Sequence, residues 1–161
     1  MDPLGLLILR LTFGTIFVFH GLHQFFGWFG GGKMVEVMQR LGLRPSRLWA
    51  SLCGLGNLLG GGMLLFGIFT FVGCALIITV MMVAMLTIKK RSGFWERDGG
   101  YEYNLAVIGV ATAIGITGPG SISLDAAVVP GLIRPELFFL ALLCCLVVGG
   151  VGLMARPRVG P

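Results

Sequence analysis

GFWERDGGYEYNLAVIGVATAIGITGPGSISLD, residues 93–125, decides how the rest of the chain is read. A polar, glycine-containing loop leads through Tyr101, Glu102, Tyr103 and Asn104 into an apolar run, Leu105 to Ile116, that stops at Thr117-Gly118-Pro119-Gly120. Such a run lacks the polar face of a surface helix, which points to a helix held in lipid or among other helices. The stretches before and after it are longer and of the same character.

Composition agrees with a bilayer setting. The 161 residues are 56% hydrophobic and only 12% charged, with a mean hydropathy of +0.94. Soluble domains carry about 25% charged residues, so most of this surface faces lipid or other helices. The length suits one domain. The 27 glycines follow no collagen-like period and read as tight helix packing, because small residues let backbones approach. The net charge of +5 does not point to nucleic acid, since the basic residues lie between apolar segments, where they orient a membrane protein.

Five spans are predicted: Leu4 to Phe26, Leu48 to Phe66, Phe71 to Ile88, Leu105 to Ile116 extended back to about Tyr101, and Leu137 to Ala155. The Met-Asp-Pro start lacks Lys and Arg, so the first run reads as a span rather than a secretory signal. Met34, Val37, Met38 and Leu41 recur at helical spacing and predict a short interfacial helix. Gly118 to Pro135 is a longer loop, partly re-entrant at Ala126-Ala127-Val128-Val129. One side of the membrane collects Lys33, Arg40, Arg44, Arg47, Lys89, Lys90, Arg91, Arg97, Arg156 and Arg158; the other has Arg134. This positive-inside bias puts the N-terminus outside and the C-terminus in the cytoplasm.

Several polar residues stand out. Arg10 lies about 9 Å into the first helix, where a cation either pairs, with Asp125 or Glu136 as candidates, or snorkels to the interface. His20, His23 and Gln24 lie near the other end of that helix. Two histidines three apart on one helix cannot sandwich a haem, and the chain has no others; no metal site is expected. Asn57, in Gly56-x-x-x-Gly60, reads as interhelical glue. The topology puts His20, His23 and Gln24 at the depth of Tyr101, Glu102 and Asn104. A ligand pocket among them and an interfacial polar belt are both open readings. Cys53, Cys74, Cys144 and Cys145 lie in apolar segments without metal-type spacing and read as packing residues. No phosphate loop or nucleophile–base pair is visible.

Residues 6–27 (LLILRLTFGTIFVFHGLHQFFG), 52–70 (LCGLGNLLGGGMLLFGIFT) and 93–125 resemble the DoxX family of membrane proteins. The resemblance implies an all-α integral membrane fold, a four-helix bundle here extended by one C-terminal transmembrane helix. The core is then 1–125, and 126–161 is a loop plus the added helix. It also implies membrane redox roles: kinship with the DoxD subunit of thiosulfate:quinone oxidoreductase, quinone or catechol stress proteins, and a redox-defence complex with superoxide dismutase and a sulfurtransferase. Arg10, His20, Gly21, Gly100, Tyr101, Glu102, Asn104, Gly118 and Pro119 match the family pattern. Asn57 stands where members usually carry Glu, which removes a proton-accepting group.

The expected function is an accessory, non-catalytic subunit of a membrane redox or respiratory complex in the bacterial plasma membrane. Its partners are lipids and other membrane subunits, docked through Leu137 to Ala155, and no nucleic acid. It carries no built-in cofactor; a quinone is the ligand the resemblance suggests. The alternatives are a quinone-binding oxidoreductase component using the His20/Glu102 cluster, and a small transporter, against which the lack of an internal repeat counts.

Overall fold

The computed structural model describes residues 2–26, 31–89, 92–128, 131 and 134–154. Its helices are α1 (Pro3–Phe26), α2 (Gly31–Arg40), α3 (Ser46–Phe66), α4 (Thr70–Ala84, continuing through a π-turn at Met85–Lys89), α5 (Glu102–Thr117), α6 (Leu124–Val128) and α7 (Pro135–Met154). α1, α3, α4 with its π-turn, and α7 are long and apolar enough to cross a membrane. The protein is thus an all-helical integral membrane protein, with bundle and added helix as expected. α5 has 16 residues, about 24 Å at 1.5 Å per residue against a hydrocarbon core of about 30 Å. Ala155 of the fifth predicted span and Val129 of the loop lie outside the described residues, as do Lys90, Arg91, Arg156 and Arg158.

Local signals explain the helix ends. Asp2 Oδ1 accepts from the Leu4 backbone N–H at 2.8 Å and Pro3 opens α1, where its missing N–H costs nothing. α3 ends at Gly67, whose φ of 64° lets its N–H and that of Ile68 turn back to Leu64 and Met63.

Two glycine seams set the bundle. A Cβ on Gly61 of α3 would lie 2.6 Å from the Val18 nitrogen of α1, and one on Gly14 would lie 2.7 Å from the Leu65 nitrogen. α1 and α3 therefore touch backbone to backbone. On the next face of α3, Gly60 meets the Gly73 carbonyl and Gly56 meets Val80, both on α4. α4 in turn carries α5 and α7.

The buried core runs through all five long helices: Leu6 and Phe17, Leu64, Ile77 and Met81, Val107 and Ile114, and Phe138. α7 shares this core rather than building its own. Its Phe138 ring lies where a side chain on Gly115 would be. Gly149 and Gly152 of α7 pack against α4 and Trp49, while its other face is turned outward, with Phe139, Leu140, Leu143, Val147 and Val151 exposed. α2 is the expected amphipathic helix. It buries Met38 with Leu43 and Ala50 over the start of α3 and exposes Lys33, Glu36 and Arg40.

Candidate functional site

The helices alternate in direction, so polar residues gather at two ends, one marked by Asp125 and the other by Arg47. At the first, the strap Gly118 to Leu124 crosses the bundle and delivers Asp125, 5% exposed, to the start of α4. Phe69 there holds φ 46°, a left-handed conformation that a bulky residue adopts only when its surroundings impose it. Asp125 imposes it. Its Oδ1 accepts from Phe69 N–H at 2.7 Å, and its Oδ2 accepts from Thr70 N–H at 2.9 Å and from Thr70 Oγ1 at 2.8 Å. Its own N–H donates to the Gly67 carbonyl at 2.7 Å. A carboxylate at a helix N-terminus satisfies orphan donors and complements the helix dipole.

Arg10 reaches the same junction from α1 and is 1% exposed. The expected pairing with Asp125 or Glu136 does not form as an ion pair. Nη2 donates instead to the Ile122 carbonyl at 2.6 Å, because Asp125 is occupied with α4 and Glu136 is exposed at the start of α7. Asp125 still acts on Arg10 as the opposing charge through space. Snorkelling is excluded by the burial. Nε and Nη1 have no acceptor among the described residues, an arrangement that costs free energy unless water or a ligand supplies one. Beside this centre a 220 Å3 cavity is lined by Phe71, Gly115, Thr117, Pro119, Asp125 and Arg134.

At the Arg47 end the sequence-predicted residues divide into two groups. On the α1–α3 side, Asn57 Nδ2 donates to Gln24 Oε1 at 3.3 Å, which is the interhelical glue expected of it. His20 is exposed, its ring 5.9 Å from that of Phe17, and His23 is exposed beside it. On the α5 side, Asn104 Nδ2 donates to the Met81 carbonyl at 3.3 Å. Glu102 turns back to accept from Glu96 N–H at 3.2 Å, while Tyr101 packs edge-on to Phe94, centroids 5.6 Å apart. Tyr101 and Glu102 thus close their own loop. Gly100 is required there, since a Cβ would lie 2.5 Å from the Phe94 carbonyl.

α1 and α5 meet through Phe13, Phe17, Val107 and Val110 rather than through the polar groups. Asn57 and Asn104 nevertheless flank one level of α4: Gly56, next to Asn57, faces Val80, and Asn104 binds Met81. Both side chains are buried, and both Oδ1 atoms lack a donor among the described residues. The two ends are therefore complementary: unmet donors on Arg10, unmet acceptors on the two asparagines.

Sequence reasoning missed the capping role of Asp125 and the Ile122 contact. The one available signal was an acidic residue following a Gly-Pro-Gly strap; nothing local tied it to Thr70. It also missed that Cys53, Cys144 and Cys145 line one groove. Cys74 alone is a fully buried packing residue.

The DoxX family model matches residues 5–90, just over half of the chain. The chain belongs to the DoxX family. The match covers Arg10, the glycine seams and Asn57; residues 93–125, with Tyr101, Glu102 and Asp125, lie beyond it. A curated Bacillus subtilis (strain 168) protein, "Putative oxidoreductase CatD", is 28% identical over 128 residues, which is 80% of this chain and 90% of that protein. No solved structure matches.

Proposed function

We propose that this DoxX-family chain is an accessory, non-catalytic subunit of a membrane redox assembly. One observation carries the reading: its buried carboxylate is committed to structure. Asp125 accepts three hydrogen bonds that hold the α3–α4 turn, and a base engaged in this way cannot relay protons without opening the turn. The oxidoreductase name of the Bacillus relative supplies the redox context. The outward apolar ridge of α7, Phe139 to Val151, is the face offered to a membrane partner. The charge bias supports a cytoplasmic position for the Arg47 end.

The test is purification from native membranes in mild detergent, with mass spectrometry of all co-purifying proteins. A stoichiometric oxidoreductase or respiratory subunit is expected, released when Leu143 and Val147 are changed to Ala. Recovery of the chain alone would refute the reading.

A second reading is favoured by Arg10. A quinone presents carbonyl oxygens that would accept from the Nε and Nη1 donors of Arg10. The donor set fits such a ring. A bound quinone would supply electron acceptance, and Arg10 would orient it. Solvent extraction of the purified protein should then yield quinone, lost in Arg10→Met.

A further inference from the structure

A 280 Å3 groove lies between α3, α4 and α7. Its wall runs from Trp49 to Gly56 on α3, from Val83 to Leu76 on α4, and from Leu153 to Cys144 on α7. The α3 and α4 walls span eight residues each and the α7 wall ten, about 10 to 14 Å at 1.5 Å per residue. All three start at the Arg47 end, so the groove occupies one leaflet of a hydrocarbon core about 30 Å thick. It is apolar throughout, since the hydroxyl of Thr79 donates to the Ala75 carbonyl at 2.9 Å. Exposed Leu52 and Val148 on its rim open it to lipid. An apolar groove open to lipid admits a hydrocarbon chain.

A second hollow lies next to the groove at the Arg47 end. Leu43 lines both, and the hollow adds Gln39, Arg44, Pro45, Ser46 and Arg47. Arg44 and Arg47 are exposed, and the ion pairs among the described residues, Lys89–Glu96 and Arg97–Asp98, leave both without an acidic partner. Trp49 lines the groove near its Arg47 end, where an indole takes the membrane interface.

We propose that hollow and groove are one binding site for an anionic phospholipid, with its phosphate on Arg44 and Arg47 and an acyl chain between α3, α4 and α7. Guanidinium groups match phosphate oxygens in geometry and charge, and basic residues beside an apolar helix crevice are the pattern that recognises acidic headgroups. The site is independent of the accessory-subunit reading and is read out separately.

Native mass spectrometry of the full chain, titrated with phosphatidylglycerol and with phosphatidylcholine of the same acyl chains, tests it. One phosphatidylglycerol per chain is expected, with a preference of about tenfold or more over phosphatidylcholine from two arginines. R44A/R47A should bring phosphatidylglycerol down to the level of phosphatidylcholine. Val148→Trp, filling the groove from its exposed rim, should reduce retention of both lipids. Equal retention of the two lipids by the wild-type chain would overturn the proposal. So would undiminished preference in R44A/R47A, or competition by inorganic phosphate as strong as that by phosphatidylglycerol. A loss seen in Val148→Trp but not in R44A/R47A would reduce the site to an unselective acyl groove and also refute it.

Discussion

At the Asp125 end of the bundle, one buried carboxylate takes hydrogen bonds of 2.7, 2.9 and 2.8 Å and ties the strap to α4. At the Arg47 end, Asn57–Gln24 and Asn104–Met81 both span 3.3 Å, and the 2.8 Å Lys89–Glu96 pair is partly solvent-exposed. Short charge-assisted bonds out of water are stronger than long neutral ones, and exposed ion pairs contribute little. The first end is locked by charge; the second is joined pairwise by amides and keeps two acceptors free.

The sharpest way to break this contrast is Asp125→Ala. It removes three hydrogen bonds and orphans the Phe69 and Thr70 donors, at about 1–3 kcal/mol each for an unmet buried group. A loss of about 3 kcal/mol is expected, a Tm fall on the order of 10 °C for a chain of this size, followed by tryptophan fluorescence in detergent. Asp125→Asn, which keeps one acceptor, should fall between. If Asp125→Ala melts with the wild type, the lock does not exist.

Gly67→Ala probes the same end through the backbone. The left-handed φ of 64° disfavours a side chain, and the new Cβ would collide with Arg10 Nη1. About 2 kcal/mol of destabilisation follows from backbone strain plus overpacking. A variant as stable as the wild type would show that Arg10 is free to move.

Asn104→Leu sharpens the comparison from the other side. It gives up a long hydrogen bond but removes an unmet acceptor, so chemical-denaturation stability should stay within about 1 kcal/mol. A larger drop would mean that the Arg47 end is as tightly locked as the Asp125 end. Smallest of all is Lys89→Ala, at about 0.5 kcal/mol or less, with the difference vanishing in high salt. A salt-independent loss would contradict a surface pair.

The span limits were legible because they depend on nearest-neighbour character. The expected Leu4 to Phe26 and Leu48 to Phe66 became Pro3–Phe26 and Ser46–Phe66. Asn57 was legible as glue, though its partner Gln24 was not named. The polar pocket was less legible. Equal depth along two helices follows from topology, but depth says nothing of rotation. Rotation turned His20 outward, sent Glu102 back to its own loop, and buried Asn104 against α4.

By itself the sequence determined a helical membrane protein and where its helices start and stop. Hydrocarbon leaves a backbone no partner but its own helix, and caps such as Asp2-Pro3 and Gly67 act within a turn. The tertiary structure alone decided which polar groups meet: Asp125 with Thr70, 55 residues away, and Arg10 with Ile122, 112 residues away. It likewise gathered Cys53, Cys144 and Cys145 around one groove. Those meetings depend on how each helix is turned about its axis. That turn is set by the close backbone approach at Gly14, Gly60 and Gly61, whose partners no local pattern names.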